Sequence, residues 1–149
     1  MAFLLKAFAD LSTVELHAIY AARVAVFVVE QQCPYQEVDA ADVQALHVFR
    51  MEAGEVAAYC RLIPHETAVH LGRVLVAPAW RAQKLGRELV AFALDVARQR
   101  WPEMAVYAQA QEYLQAFYAS FGFVATSAVY LEDGIAHIDM MIAGGQGAR

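Results

Sequence analysis

The chain has 149 residues, of which 60% are hydrophobic and 18% charged, and its net charge is −5. That length suits one domain with one core, and the composition excludes disorder and low complexity. With 11 basic residues against 16 acidic ones, a nucleic-acid partner is not expected, while the apolar excess is compatible with a face covered in a homodimer.

Residues 3–8 predict a first strand. The apolar start Ala2-Phe3-Leu4-Leu5 is interrupted by Lys6 and Asp10, before it reaches the ~7–15 residues of a signal-peptide core. No run approaches the ~20 apolar residues of a membrane span, so a soluble, cytoplasmic chain with no membrane partner is expected. Ser12 and Glu15 have capping-box spacing and open a helix at Thr13, with Leu16, Ile19, Val24 and Phe27 at helical intervals. Residues 31–44 carry Pro34 and the acids Glu37, Asp39 and Asp42, just after Glu30, and read as a loop. Strands follow at 46–52, 56–63 and 67–76, the first two joined by the turn Ala53-Gly54-Glu55.

A helix is predicted from Lys84 to Arg100, with Leu85, Leu89, Phe92, Ala93 and Val96 on one face and Trp101-Pro102 as its stop. A strand at 104–110, a short helix at 112–121 and strands at 122–130 and 135–142 complete the order. Glu132-Asp133-Gly134 turns the last pair. Residues 1–143 thus read as a single domain and 144–149, with three glycines, as a flexible tail. The expected fold is a mixed, mostly antiparallel central sheet flanked by helices on both faces. Cys33 and Cys60 have no thiol-pair spacing and are expected to be free and buried; the histidines have no metal-ligand spacing, and no metal is expected.

The most informative stretch runs from Val74 to Arg87: an apolar strand, Pro78, a basic loop and an amphipathic helix. The first turn of a helix leaves backbone N–H groups unpaired at the positive end of its dipole, where phosphate binds readily. Gly86 lets backbone come close to such a group, while Arg81, Lys84 and Arg87 supply charge. The same pattern also suits an ordinary strand-to-helix turn with solvated basic residues.

The run Val76-x-Pro78-x-x-Arg81-x-x-Lys84-x-Gly86 resembles the acyl-CoA-binding motif of the GNAT superfamily of N-acetyltransferases, Arg/Gln-x-x-Gly-x-Gly/Ala. Lys84 stands at the first glycine, a departure that the ElaA-like branch shares. Gln111-x-x-x-x-x-Phe117-Tyr118-x-x-x-Gly122-Phe123 is similar to the family's later helix-to-strand signature, with Gln111 at an Asn position. The run from Arg23 through Val26-Phe27-Val28-Val29-Glu30-Gln31 to Gln36, Asp133-Gly134-Ile135-x-His137-Ile138 and the isolated His47 resemble the ElaA-like proteins more narrowly.

The resemblance implies the GNAT acyl-CoA N-acyltransferase fold, with acetyl-CoA as acyl donor and a small amine or peptide as acceptor. It implies that backbone at Val74 and Val76 holds the donor's arm, that the Val76 N–H polarises the thioester carbonyl, and that Arg81, Ala82, Gln83, Lys84, Leu85, Gly86 and Arg87 cradle the pyrophosphate, with Gln111 nearby. Tyr118 is the expected general acid, its ordinary pKa of ~10 being near enough to that of a thiol at ~8.5. Its helical spacing with Phe117 and Phe121 also fits a core residue. Glu30, His137 and His47 are the candidate bases, in that order. Arg61 and Arg73 are expected to pair with carboxylates or frame the substrate entrance, and the acids of 30–42 would favour a cationic acceptor if they line the cleft. A non-catalytic module that binds and senses acyl-CoA is the alternative.

Overall fold

In the computed structural model, which describes residues 3–145, the capping box forms as its spacing predicts. Ser12 Oγ accepts the Glu15 N–H at 3.0 Å, and Glu15 Oε1 accepts the Ser12 N–H at 2.9 Å. This opens α1 (Thr13–Arg23) behind the short strand β1 (Leu4–Ala7). The α-helix does not continue through the β-branched run that follows. Val24–Glu30 widens into a π-helix, closed by the Gln31 N–H on Val26 O at 3.2 Å and the Cys33 N–H on Val28 O at 3.0 Å. Crowding among successive β-branched residues disfavours the tighter α spiral.

The strands β2 (Leu46–Glu52), β3 (Glu55–Pro64) and β4 (Ala68–Val76) form a meander, and α2 (Leu85–Arg100) carries the chain to β5 (Ala105–Gln111). A 3-10 turn (Glu112–Leu114) and α3 (Gln115–Ala119) replace the single predicted helix. Then come β6 (Val124–Ala125), β7 (Tyr130–Glu132) and β8 (Ile135–Ile142). Among the described residues the sheet runs β1-β2-β3-β4-β5-β8-β6, with β7 also on β8. Only β4 and β5 are parallel; the other pairings are antiparallel. The mixed, mostly antiparallel sheet expected from the element order is the one observed.

Each strand sends alternate residues to opposite faces. On one face α2 buries Leu85, Leu89, Ala93 and Val96 against Cys60, Leu62, Val69, Leu71, Val106 and Ala108. On the other, α1 and the π-helix bury Ala18, Ile19 and Val26 against Phe49, Tyr59 and Leu75.

Two strands depart from expectation. The predicted strand at 122–130 is interrupted: between β6 and β7 the ladder gives way to side-chain bonding, Ser127 Oγ accepting the Asp139 N–H at 3.0 Å while Asp139 O accepts the Thr126 N–H at 2.8 Å. Strand β4 carries a bulge. Leu75 faces Tyr59 and Gly72 faces Arg61, so Arg73 and Val74 together oppose Cys60, and Arg73 has φ +52°. A bulge bends and twists its strand. Pairing with β5 ends at Leu71 and Ala108, just before the bulge, and beyond it the two parallel strands splay apart.

Of the predicted tail, Gly144 and Gly145 lie against the 102–104 backbone, so closely that a Cβ on Gly144 would meet Glu103 O at 2.4 Å. Residues 146–149 lie outside the described residues.

Candidate active site

The splay between β4 and β5 opens a cleft of about 620 Å³, within the usual range of ligand sites. Gly72–Val76 line one wall and Gln109 and Gln111 the other; the π-helix, α3 and the β7–β8 hairpin close it. Ala77 donates its N–H to Ala57 O at 2.9 Å, which makes Ala57 and Ala77 a hydrogen-bonded pair of the β3–β4 ladder. Antiparallel ladders alternate, so the neighbouring pair, Ala58 and Val76, turns its N–H and C=O groups outward. For Val76 outward is the cleft.

Beyond Val76 a 3-10 turn (Pro78–Gln83) leads to Lys84, which holds the left-handed conformation at φ +57° and caps α2 without a side-chain hydrogen bond. The lysine thus adopts the backbone angle that a glycine would take at lower cost. Lys84 O accepts from the Arg87 and Glu88 N–H groups. The N–H groups of Leu85 and Gly86 precede them, in the part of the turn that has no intrahelical acceptor, where an anion is favoured. Gly86 and Arg81 line the cleft, whereas Ala82, Gln83 and Lys84 are exposed on the loop. The Leu85 side chain is in the core, so it can contribute only backbone. Arg87 donates to Ser120 Oγ at 2.8 Å and lies over the Phe121 ring, which ties α2 to α3.

Glu30 ends the π-helix at the cleft and grips Arg81 with two bonds, Nη1 to Oε2 at 2.6 Å and Nη2 to Oε1 at 2.8 Å. Arg81 Nε also donates to Val76 O at 2.9 Å. Hydrogen bonding from Arg81 holds the Glu30 carboxyl below its usual range. At the cleft floor Tyr118 is 5% exposed, with its ring edge-on to Phe117 and Phe123. Burial pushes its phenol up, with a smaller contribution from Cys60. Such a phenol stays protonated at neutral pH and is a proton donor only.

The candidate histidines separate. His137 lines the cleft with Nδ1 donating to Ile135 O at 2.7 Å, which leaves Nε2 as the basic nitrogen. His47 does not line the cleft. It is fully buried, with Nε2 against Asp42 O at 2.9 Å and Nδ1 against the Tyr59 hydroxyl at 2.6 Å. A carbonyl only accepts, so Nε2 carries the proton and Nδ1 accepts from Tyr59; burial lowers the pKa of the ring. His47 is a satisfied core residue, with no nitrogen left to serve as a base.

The acids of the 31–44 loop are also engaged elsewhere. Arg23, fully buried, donates to Glu37 Oε2 at 2.7 Å and Asp42 Oδ1 at 2.8 Å. Arg61 pairs with Asp39 and Asp42, and Arg73 with Glu37. Three arginines therefore neutralise three carboxylates that could otherwise have faced a cationic acceptor. The cleft meets this network at Arg73 and Tyr35, whose phenol donates to Glu37. Sequence reasoning did not select Tyr35, Cys33, Gln109 or Glu132, all of which line the cleft. The strand period does place Gln109 on the face of Gln111, a signal that was available. Both cysteines are free and buried. Among the described residues no group of three or more His, Cys, Asp or Glu could hold a metal.

A bulged, splayed sheet with a basic helix start at one end of its cleft and a buried phenol on its floor defines a class. The acetyltransferase (GNAT) domain family matches residues 10–143, and the chain belongs to that family. Protein ElaA of Escherichia coli K12 is 42% identical over 136 residues, 88% of this chain and 89% of that protein, which places the chain among the ElaA-like members. The crystal structure of E. coli ElaA superposes with a TM-score of 0.92 at 39% identity, covering 95% of this chain and 99% of that one. An acyl-CoA N-acyltransferase from Pseudomonas aeruginosa gives 0.91 at 44% identity, covering 96% and 100%. A CoA-dependent acyl-homoserine lactone synthase, BjaI, shares the fold alone, at 16% identity and a TM-score of 0.78 over 93% of this chain and 81% of that one.

Proposed function

We propose that the chain transfers an acetyl group from acetyl-CoA to a primary amine, on a small molecule or a peptide, by direct attack within a ternary complex. The observation that carries this reading is the Val76 N–H turned outward beside the bulge, into a cleft that Gly86 of the α2 start and Tyr118 also line. A thioester carbonyl at Val76 would accept that N–H, and one well-aimed donor in a dry site is worth ~3–4 kcal/mol of barrier.

The amine must lose a proton as its nitrogen forms the new N–C bond. Glu30 and His137, which line the cleft beside the carboxylates of Glu132 and Asp133, are the acceptors proposed for it; His47 does not line the cleft. As the C–S bond breaks, the Tyr118 phenol supplies the proton that the leaving thiolate takes up. The test is thiol release from acetyl-CoA across a panel of amines and peptides. Release that no amine raises above hydrolysis, with no rise in melting temperature on adding acetyl-CoA, would sink the proposal.

A further inference from the structure

Arg81 has only one guanidinium fork, and two claims on it. Its Nε is anchored on Val76 O at 2.9 Å, which holds the group beside the uncapped start of α2. Its two Nη atoms are taken end-on by Glu30, at 2.6 and 2.8 Å, from an element 51 residues away in the chain. Both side chains line the cleft and both are nearly half exposed, 43% and 44%. The pair therefore lies at the phosphate end of the cleft and is open to solvent. The next residue, Gln31, reaches Gln111 on the opposite wall at 3.4 Å, so the end of the π-helix bridges the mouth.

Resting on the reading of the cleft as an acyl-CoA site, we infer that Glu30 is a latch displaced by the donor: it occupies the Arg81 fork until a pyrophosphate takes its place, and only then is its carboxylate free within the cleft. A carboxylate and a pyrophosphate carry like charge, and a planar fork accepts one such partner end-on. Displacement has a chemical consequence. Arg81 is the first cause of the lowered pKa of Glu30, so the freed carboxylate becomes more basic. The amine would then meet its proton acceptor only in the donor-loaded state, which orders the reaction with donor first.

The experiment is calorimetric titration of the full chain with CoA at fixed ionic strength, for wild type, Glu30→Gln and Glu132→Gln. Glutamine removes the charge that holds the fork. Exposed ion pairs contribute little, so CoA should bind about two- to fivefold tighter to Glu30→Gln. Glu132 lines the same cleft but bonds Gln109, not Arg81; its variant controls for a general loss of negative charge and should keep wild-type affinity. With acetyl-CoA and any amine that supports turnover, Glu30→Gln should lower both KM for the donor and kcat. Unchanged or weaker CoA binding by Glu30→Gln, or equal tightening in Glu132→Gln, overturns the latch while leaving the acyl-CoA site standing. A wild-type chain that binds no CoA overturns both.

Discussion

Replacing Tyr118 by phenylalanine separates a catalytic phenol from a core ring, because the structure makes opposite demands of the two. The ring is 5% exposed and packs edge-on against Phe117 and Phe123, with centroids 5.3 and 5.6 Å away. Phenylalanine keeps all of those contacts. Among the hydrogen bonds of the described residues none involves the Tyr118 hydroxyl, so its loss leaves no protein partner unsatisfied, and stability should change by no more than about 0.5 kcal/mol. For a domain of this size that is about 1–2 °C in Tm. A positioned general acid contributes about 10²–10⁴-fold to rate, or about 3–5 kcal/mol at 1.36 kcal/mol per tenfold. Tyr118→Phe should therefore lose at least a hundredfold in kcat with the Kd for CoA unchanged. The wild-type kcat should also show no fall from phenol ionisation between neutral and mildly alkaline pH, since burial raises the pKa of the group. Thiol-release kinetics, CoA titration and a thermal melt make the comparison complete. A kcat within threefold of wild type, on a protein that melts normally, would show Tyr118 to be packing only.

Gly86 has no positive φ, and a Cβ there would meet only Val76 Cγ2 at 3.5 Å and Phe117 Cζ at 3.9 Å, which is ordinary contact. Gly86→Ala should keep or raise Tm, by up to about 1 kcal/mol of stability, while weakening CoA binding at least tenfold because the new methyl faces the cleft. Lys84→Gly should relieve about 1 kcal/mol of left-handed strain, partly offset by glycine's greater freedom when unfolded, and still weaken CoA severalfold through the lost charge; a titration beside a melt reads both. His47 should make stability fall on mild acidification. Its folded pKa is depressed by burial, so its contribution is fully present above the unfolded value of ~6.5 and is lost as pH falls from there through the folded value. Urea midpoints across pH 7.5 to about 5 should show that slope in wild type and a shallower one in His47→Gln; equal slopes would clear His47 of the effect.

What could be read from the sequence was what neighbouring residues decide among themselves. The Ser12–Glu15 box, the turns at 53–55 and 132–134 and the amphipathic face of α2 are all local, and each forms where its spacing predicts. Val74, Val76, Arg81, Gly86, Gln111, Tyr118, Glu30 and His137 do meet at one cleft. The departures at His47, at the loop acids and in the predicted strand at 122–130 depend on tertiary partners. His47 looked free because its partners, Asp42 O as acceptor and the Tyr59 hydroxyl as donor, are set beside it by the fold. The acids of the loop looked available because Arg61 and Arg73 lie 19 to 36 residues away from them. The break at 126–129 needed Asp139 opposite Ser127, which sequence alone does not align.

The bulge joins these long-range contacts to the chemistry. Arg73 holds φ +52°, a conformation costing a non-glycine residue about 1–2 kcal/mol. Its guanidinium donates to Glu37 Oε2 at 2.9 Å and Glu37 O at 3.0 Å, and Glu37 is fixed in turn by the buried Arg23. The loop acids therefore act on the cleft indirectly: they clamp the residue whose left-handed turn bends β4 away from β5. Without that bend the parallel ladder could run on past Leu71 and Ala108, and the outward groups of Val74 and Val76 would be taken up by β5. An acidic loop that first suggests recognition of a cationic acceptor is, on these contacts, part of what keeps the Val76 N–H open to the cleft.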